Sequence, residues 1–214
     1  MKPRLAHQRT AALTLTEVLI IIAALALLAA ILLPALAVAK RKSSKLNCSS
    51  CLKQIGLSYR MWADDNGGKF PMQISVTNEG VMELIATGNV AAFFQVMSNT
   101  LDTPLILICP NDTKHIPATN FATLKNSNIS YFISLDTVVT QPQTLLSGDD
   151  NLMVNGKNVQ SGILNLHTND VLAWTKERHQ GAGNILMGDG SVQQATSADL
   201  TSMAGLATNR LAIP

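Results

Sequence analysis

The sequence predicts an α+β fold in which one long N-terminal helix packs on a small antiparallel-sheet domain. Residues 18–39 form an uncharged run of 22 residues, and a helix needs roughly 20 apolar residues to cross a bilayer. Beyond this run, Leu52, Ile55, Tyr59 and Trp62 recur at intervals of three and four, the spacing of one helix face. After residue 63, short apolar segments alternate with turn signals, a pattern typical of antiparallel strands.

The long helix is expected over residues 13–63, with a transmembrane half at about 18–39 and an amphipathic half after it. Ala and Leu dominate the apolar half, and both are strong helix formers. Pro34 removes one backbone hydrogen bond and should bend or loosen the helix there. The run Asp-Asp-Asn-Gly-Gly at 64–68 ends it. We therefore divide the chain into a leader at 1–12, the helix at 13–63 and a globular domain at 64–214.

The globular domain is expected to combine one or two short helices with antiparallel strands. The residues at 90–97 predict a helix that packs on the long one, and Ser197 is the predicted N-cap of a last short helix. The apolar run at 104–109, ended by Pro110, is interpreted as a buried strand. An Asp-Gly pair joins 184–187 to 191–194 as a hairpin, and Asn155-Gly156 marks another turn. Weaker strand candidates are 129–135, 144–147, 162–166 and 171–176.

Charge is distributed unevenly along the chain, so the formal net charge of +2 misleads. Seven basic residues lie before residue 46, in the leader and directly after the apolar run. From residue 46 onward there are 9 basic and 13 acidic residues, a net charge of −4. Because binding to a phosphate backbone needs clustered Lys and Arg, no general nucleic-acid binding is expected of the globular domain.

A single carboxylate, Glu17, stands at the mouth of the apolar run, where it is costly in hydrocarbon without a partner. With a cut after Ala12, Leu13 becomes the first residue of the mature chain and Glu17 the fifth. This arrangement resembles the N-terminus of type IV pilins and of the pseudopilins of type II secretion. In that family a Glu stands fifth in the mature chain, and Pro34 matches a common proline position. Ala12 and Leu13 replace the Gly and Phe that are usual there.

Two other interpretations of this segment stay open. It can be a plain signal anchor, although an anchor by itself gives no reason for Glu17. It can also be a secretory signal cleaved after Ala37-Val38-Ala39, although signal-peptide apolar regions usually span about 7–15 residues. The pilin resemblance implies a single-pass inner-membrane protein with a cytoplasmic N-terminus and an extracytoplasmic C-terminal domain, which can also reside in an extracellular or periplasmic filament.

The resemblance implies a structural subunit and no enzyme. It is expected to be processed by prepilin peptidase, to carry a methylated amine at its new N-terminus, and to be assembled through its N-terminal helix by an inner-membrane platform. Its partners would be other pilin or pseudopilin subunits and membrane lipid, and Glu17 and Pro34 are its candidate assembly residues. The alternative is a membrane-anchored extracytoplasmic binding module or enzyme that never polymerises.

A second group of motifs extends the resemblance along the chain. His179, nine residues and Asp189-Gly190 match the H-x9-D-G signature of a large group of prepilin-like proteins. The segments at 52–57, 63–71 and 109–112 also fit that group in the same order. The resemblance assigns no chemistry to His179. From the residues alone, we expect the hairpin to bring His179 within reach of Asp189, where the two brace a loop; a metal site or catalysis stays a lesser alternative.

The three cysteines at 48, 51 and 109 have several possible roles. Outside the cytoplasm, Cys109 is a natural disulfide partner for Cys48 or Cys51, and the odd count leaves at least one thiol unpaired within the chain. Free or intermolecular thiols are the next possibility. A redox or zinc site is the remaining alternative, although a thioredoxin-type site needs a βαβ setting, a zinc site needs four ligands, and the sequence has no second C-x2-C motif.

No cofactor is expected, although calcium stays possible. Asp149 and Asp150 offer hard oxygen ligands in what reads as a loop. A solvated acidic turn is the simpler interpretation of the same pair. Motifs for phosphate-binding loops, nucleophile elbows and zinc peptidases are missing from the sequence, so it offers no catalytic residue.

Overall fold

The computed structural model describes residues 14–204 and 210–214, which form an α+β protein as the sequence predicts. The chain divides into two units, Met1–Ser43 and Ser44–Pro214. The predicted leader, with Ala12 and Leu13, lies outside the described residues. The described part of the first unit is the N-terminal portion of α1 (Leu15–Asp65), a helix that continues without interruption through Pro34.

The start of α1 is a capping box. The Thr14 backbone N–H donates to Glu17 Oε2 at 2.7 Å, and the Glu17 N–H donates to Thr14 Oγ1 at 3.3 Å. A Ser or Thr followed three residues later by Glu or Gln satisfies two otherwise free backbone donors in this way. Glu17 therefore has a local structural role, and the expectation that a plain anchor gives no reason for this residue is wrong.

The apolar part of α1 is exposed on every side within the first unit. The most apolar window of the helix has a mean hydropathy of 3.0 and none of it is buried. Among the described residues, α1 is the helix long and apolar enough to cross a membrane, by length and composition. Exposed apolar surface of this extent needs a cover of lipid or protein.

The second unit is built on two antiparallel sheets. A six-stranded sheet has the order β5-β9-β1-β2-β7-β8, and a three-stranded sheet has the order β4-β3-β6. The strands are β1 (Tyr131–Ser134), β2 (Leu145–Asp149), β3 (Leu152–Val154), β4 (Lys157–Asn158), β5 (Gly162–Asn165), β6 (Leu172–Trp174), β7 (Ala182–Met187), β8 (Val192–Thr196) and β9 (Arg210–Ile213). The helices after α1 are α2 (Val90–Val96), α3 (Ser98–Leu101) and α4 (Ser197–Ala204).

Both faces of the six-stranded sheet are covered, because successive side chains of a strand point to opposite sides. On one side, Tyr131 and Ile133 join the core formed with α1 and α2. On the other side, Phe132 joins a second core with Trp174 of β6 and Leu200 of α4. The second half of α1 buries the predicted face, and Leu52, Ile55 and Tyr59 are fully inaccessible.

Most predicted elements of the second unit are confirmed, with three corrections. The helix at 90–97, the hairpin at 184–194 and the four weaker strand candidates all form, with ends shifted by a few residues. The predicted buried strand at 104–109 is wrong: Pro104–Leu107 is a 3-10 helix, which Pro104 opens. Thr196 rather than Ser197 caps α4, since Thr196 Oγ1 and Asp199 satisfy each other's backbone N–H groups. The sequence prediction also missed the strands β3, β4 and β9.

Strand β7 runs alongside α1. Leu186 lies against Gly56, where an added Cβ would come within 2.5 Å of the Leu186 Cδ1 atom. At the end of the strand, Arg60 donates a hydrogen bond to the Asp189 carbonyl in the β7–β8 turn. His179 precedes this strand and Asp189 follows it, so roughly 20 Å of extended chain separates them. The predicted contact between His179 and Asp189 is therefore wrong, and Asp189 binds the Ser191 backbone N–H instead.

Candidate metal centre

Four side chains meet at one buried point of the second unit: Cys48, Cys109, Asp149 and His179, called here the thiol cluster. Their ligand-type atoms all lie within 4.8 Å of one another. Cys48 Sγ is 3.2 Å from Asp149 Oδ1, and Cys109 Sγ is 3.3 Å from His179 Nε2. His179 Nε2 is in turn 3.5 Å from Asp149 Oδ2. The side chains of Asp149 and His179 are both fully inaccessible to solvent.

Each member of the thiol cluster is delivered by a different element. Cys48 lies one turn before Leu52 on the buried face of α1. Cys109 opens a turn in which the Asp112 N–H donates to the Cys109 carbonyl at 2.8 Å, and Pro110 suits the second position of such a turn. Asp149 is the last residue of β2. His179 lies in the loop before β7.

The backbone at His179 has an unusual conformation. His179 and Gln180 have φ angles of 49° and 61°, and the Gly181 N–H donates to the Arg178 carbonyl. Left-handed φ at both central positions of a turn costs side chains other than Gly of order 1–3 kcal/mol each. Such strain persists where surrounding contacts fix it, and here those contacts are made by the imidazole of His179.

Three further polar groups surround the thiol cluster. The Asn184 backbone N–H and Nδ2 both donate to Asp149 Oδ2, at 2.7 and 3.1 Å. Asn111 Nδ2 lies 3.2 Å from His179 Nδ1, so the second ring nitrogen is held as well. The Tyr131 hydroxyl lies 3.5 Å from Cys48 Sγ. These contacts fix the carboxylate, the imidazole and one thiol from outside.

Contacts within the thiol cluster shift the pKa values of its members in different directions. The hydrogen bond from Cys48 and that with His179 lower the pKa of Cys109, against the effect of burial. The pKa of Cys48 is raised by its hydrogen bond to Cys109 and by burial. Burial acts to lower the pKa of His179, but the contact with Cys109 and the Asp149 charge outweigh it and raise that pKa.

A second buried group, the arginine cluster, lies directly beside the first and consists of Asp112, His115, Asp150 and Arg178. Arg178 Nη2 is 2.8 Å from Asp112 Oδ2 and also pairs with Asp150. His115 Nδ1 is 2.7 Å from Asp112 Oδ2. Burial acts to raise the pKa of Asp112, but bonds from His115 and Ser130 and the Arg178 charge hold it well below its usual range. For Asp150, burial outweighs the Arg178 charge and raises the pKa.

Neighbouring residues of the sequence belong to different clusters. Asp149 belongs to the thiol cluster and Asp150 to the arginine cluster, while Arg178 and His179 divide in the same way. Both carboxylates are at most 7% exposed, so the interpretation of this pair as a solvated acidic turn is wrong. Calcium, which takes 6–8 oxygen ligands, does not fit two sulfurs and one nitrogen, and in the arginine cluster the guanidinium occupies the cation position.

The predicted disulfide partners are partly brought together. Cys48 and Cys109 share the thiol cluster, whereas Cys51 is half-buried outside it, and all three are free thiols in the structure. A Cys48–Cys109 disulfide stays a prediction, and so do the assembly roles of Glu17 and Pro34. Sequence reasoning missed the four-residue combination because its members come from four separated segments and follow no C-x2-C spacing.

The thiol cluster does not have the geometry of a cysteine hydrolase. In such a triad the carboxylate binds the imidazole nitrogen that does not face the nucleophile. Here Cys109 and Asp149 both contact Nε2 of His179, and Nδ1 faces Asn111. The cluster is also closed to solvent, so a substrate has no access to the Cys109 sulfur. Such an arrangement suits the holding of an ion better than the transformation of a substrate.

The described residues thus form an α+β protein with one candidate membrane-spanning helix and a buried group of two cysteines, one aspartate and one histidine. Comparison with protein-family models, with curated proteins and with solved structures found no match for this chain.

Proposed function

We propose that the chain is a structural subunit of a type IV pilus or a type II secretion pseudopilus. In this proposal the apolar part of α1 stores the protein in the inner membrane and later packs beside the same part of other subunits. The second unit remains outside the cytoplasm and decorates the filament. The resemblance of residues 12–34 to prepilins gives the proposal its family, and the structure of α1 supports it physically.

The observation that carries the proposal is the contrast between the two parts of α1. Residues 14–40 are exposed throughout, although nearly all are apolar, whereas Cys48, Leu52 and Ile55 are fully inaccessible in the second unit. The apolar side chains of residues 14–40 are therefore not buried within their own unit. A membrane followed by a filament core accounts for both the length and the uniform apolarity of this surface.

Processing after Ala12 is the first test of the proposal. Protein recovered from the membranes of its own host should begin at Leu13, with a methylated amine, because the small residue before the cut and Glu17 after it match the prepilin pattern. N-terminal sequencing together with mass spectrometry measures both features. A mature chain that begins at Lys40 would instead identify residues 1–39 as a cleaved secretory signal and would overturn the proposal.

Glu17→Gln is the second test, and the capping box makes it sharper. Gln can replace Glu in a capping box, so the variant keeps the start of α1 and removes the charge alone. We expect normal membrane insertion and a sharp loss of subunits from sheared filaments, because the new amine at Leu13 loses its carboxylate partner. The measurement compares the filament fraction with the membrane fraction.

Glu79→Gln is the matched control, since Glu79 is an exposed glutamate of the second unit. This control should leave both fractions unchanged. A normal filament yield from Glu17→Gln would show that the carboxylate serves the cap alone. It would favour the alternative, a membrane-anchored module that never polymerises, for which the capping box already explains Glu17.

A further inference from the structure

The spacing of the thiol cluster is close to that of the ligand atoms around a tetrahedral metal ion. With Zn–S near 2.3 Å and Zn–N or Zn–O near 2.0–2.2 Å, neighbouring ligand atoms lie roughly 3.3–3.8 Å apart. Cys48 Sγ lies 3.2 Å from Asp149 Oδ1, His179 Nε2 lies 3.5 Å from Asp149 Oδ2, and Cys109 Sγ lies 3.3 Å from His179 Nε2. Each distance is close to a tetrahedral edge, and one ligand atom from each of the four residues lies within 4.8 Å of the other three.

The groups around the cluster are placed as the outer shell of a metal site requires. A histidine that binds metal through one nitrogen holds the proton of the other in a hydrogen bond. Because the Asn111 amide can turn its oxygen to the ring, it accepts the Nδ1–H and leaves Nε2 of His179 free to bind. Asn184 orients Asp149 with two donors. Tyr131 can donate to a thiolate at Cys48.

Unlike the neighbouring arginine cluster, the thiol cluster has no permanently charged cation among its own four side chains. The carboxylates Asp112 and Asp150 share the permanent charge of Arg178. Asp149 is equally buried, yet it shares its site with two thiols and one imidazole, none of which carries the permanent charge of a guanidinium. A buried carboxylate is costly unless it is paired or binds a metal. A divalent cation satisfies Asp149 and two thiolates at once.

We propose that Cys48, Cys109, Asp149 and His179 form a structural zinc site. Two thiolates, one imidazole and one carboxylate are ligands that suit Zn²⁺, and four protein ligands in a closed site are typical of a structural rather than a catalytic zinc. The ion ties α1 to the turn at Cys109, the end of β2 and the loop before β7. This assignment is independent of the proposed filament function, since it concerns the second unit alone.

Metal analysis of the full-length protein in detergent tests the proposal. Protein purified from zinc-containing medium should hold close to one zinc per chain by plasma mass spectrometry. Cys109→Ser and His179→Gln should each reduce that content at least tenfold, because each removes one ligand. Cys51→Ser is the matched control: Cys51 lies on the same helix, three residues after Cys48, and outside the cluster. It should keep the full zinc content.

A spectroscopic measurement keeps the test decisive if the ligand variants fail to fold. Wild-type protein stripped by a chelator and given Co²⁺ alone should show sulfur-to-cobalt charge-transfer absorption and the strong visible bands of a tetrahedral site. The Cys51→Ser control should show the same spectrum. A zinc-free wild-type protein with a Cys48–Cys109 disulfide in non-reducing peptide maps would overturn the proposal. A cobalt spectrum without sulfur bands would overturn it as well.

Discussion

The two buried clusters of the second unit solve the same electrostatic problem in different ways. Both enclose carboxylates that water cannot reach. The arginine cluster contains its own cation, since Arg178 pairs with Asp112 and Asp150. The thiol cluster collects two sulfurs, one imidazole and Asp149 around a common centre. Consecutive residues serve the two groups: the cation of one is built into the chain as Arg178, and the other is the proposed zinc site.

The largest expected effect is the loss of the built-in cation. Arg178→Met keeps much of the side-chain volume but leaves two buried carboxylates without their partner. Breaking a buried ion pair by removing one partner costs about 3–5 kcal/mol in the free energy of unfolding. Denaturant unfolding followed by tryptophan fluorescence measures this loss. Both tryptophans, Trp62 and Trp174, are buried in the second unit, so the signal does not depend on the apolar part of α1.

Arg210→Met is the control for this prediction. Arg210 pairs with Asp136 at 2.5 Å, but its side chain is 46% exposed. An exposed pair contributes about 0–1 kcal/mol, so the control should be nearly as stable as wild type. Equal losses in the free energy of unfolding from Arg178→Met and Arg210→Met would mean that the buried ion pair is no more important for stability than the exposed one. That result would contradict the prediction.

A smaller effect is expected from the outer shell of the thiol cluster. Asn111→Ala removes the group that faces Nδ1 of His179 and leaves all four proposed ligands in place. Loss of such a partner typically lowers metal affinity about 10–100-fold. Competition with a chromophoric chelator measures the zinc affinity. Asn120→Ala, at an asparagine that caps the 3-10 helix Phe121–Thr123, should leave it unchanged. Identical affinities in both variants would remove Asn111 from the site.

The sequence predicted elements well where a single physical signal decided them. The face of Leu52, Ile55 and Tyr59 and the Asp-Gly turn depend on local periodicity and turn chemistry, and both formed as predicted. The run at 104–109 failed because apolar content alone does not separate a strand from a short helix. Strand β9 was missed because it owes its position to pairing with two distant strands.

The functional residues show the same division between local and distant information. H-x9-D-G was visible as a pattern, but its meaning depends on β7, which holds the two ends apart and places His179 beside Cys48 of α1. Asp149 and Asp150 were recognised as possible ligands, yet their burial and their separate partners come from the packing of the turn at Cys109 against β1 and β2. The spacing of residues along the chain does not show which distant residues come together in the fold.

The place of β9 in the six-stranded sheet has a consequence for the order of folding. This strand, Arg210–Ile213, lies between β5 and β1 and pairs with both. During synthesis the chain emerges from its N-terminus, so α1 and strands β1 to β8 are available before the strand that joins β5 to the others. The sheet therefore closes only after residue 213 has been synthesised, and until then both β1 and β5 expose an unpaired edge to which other chains can bind.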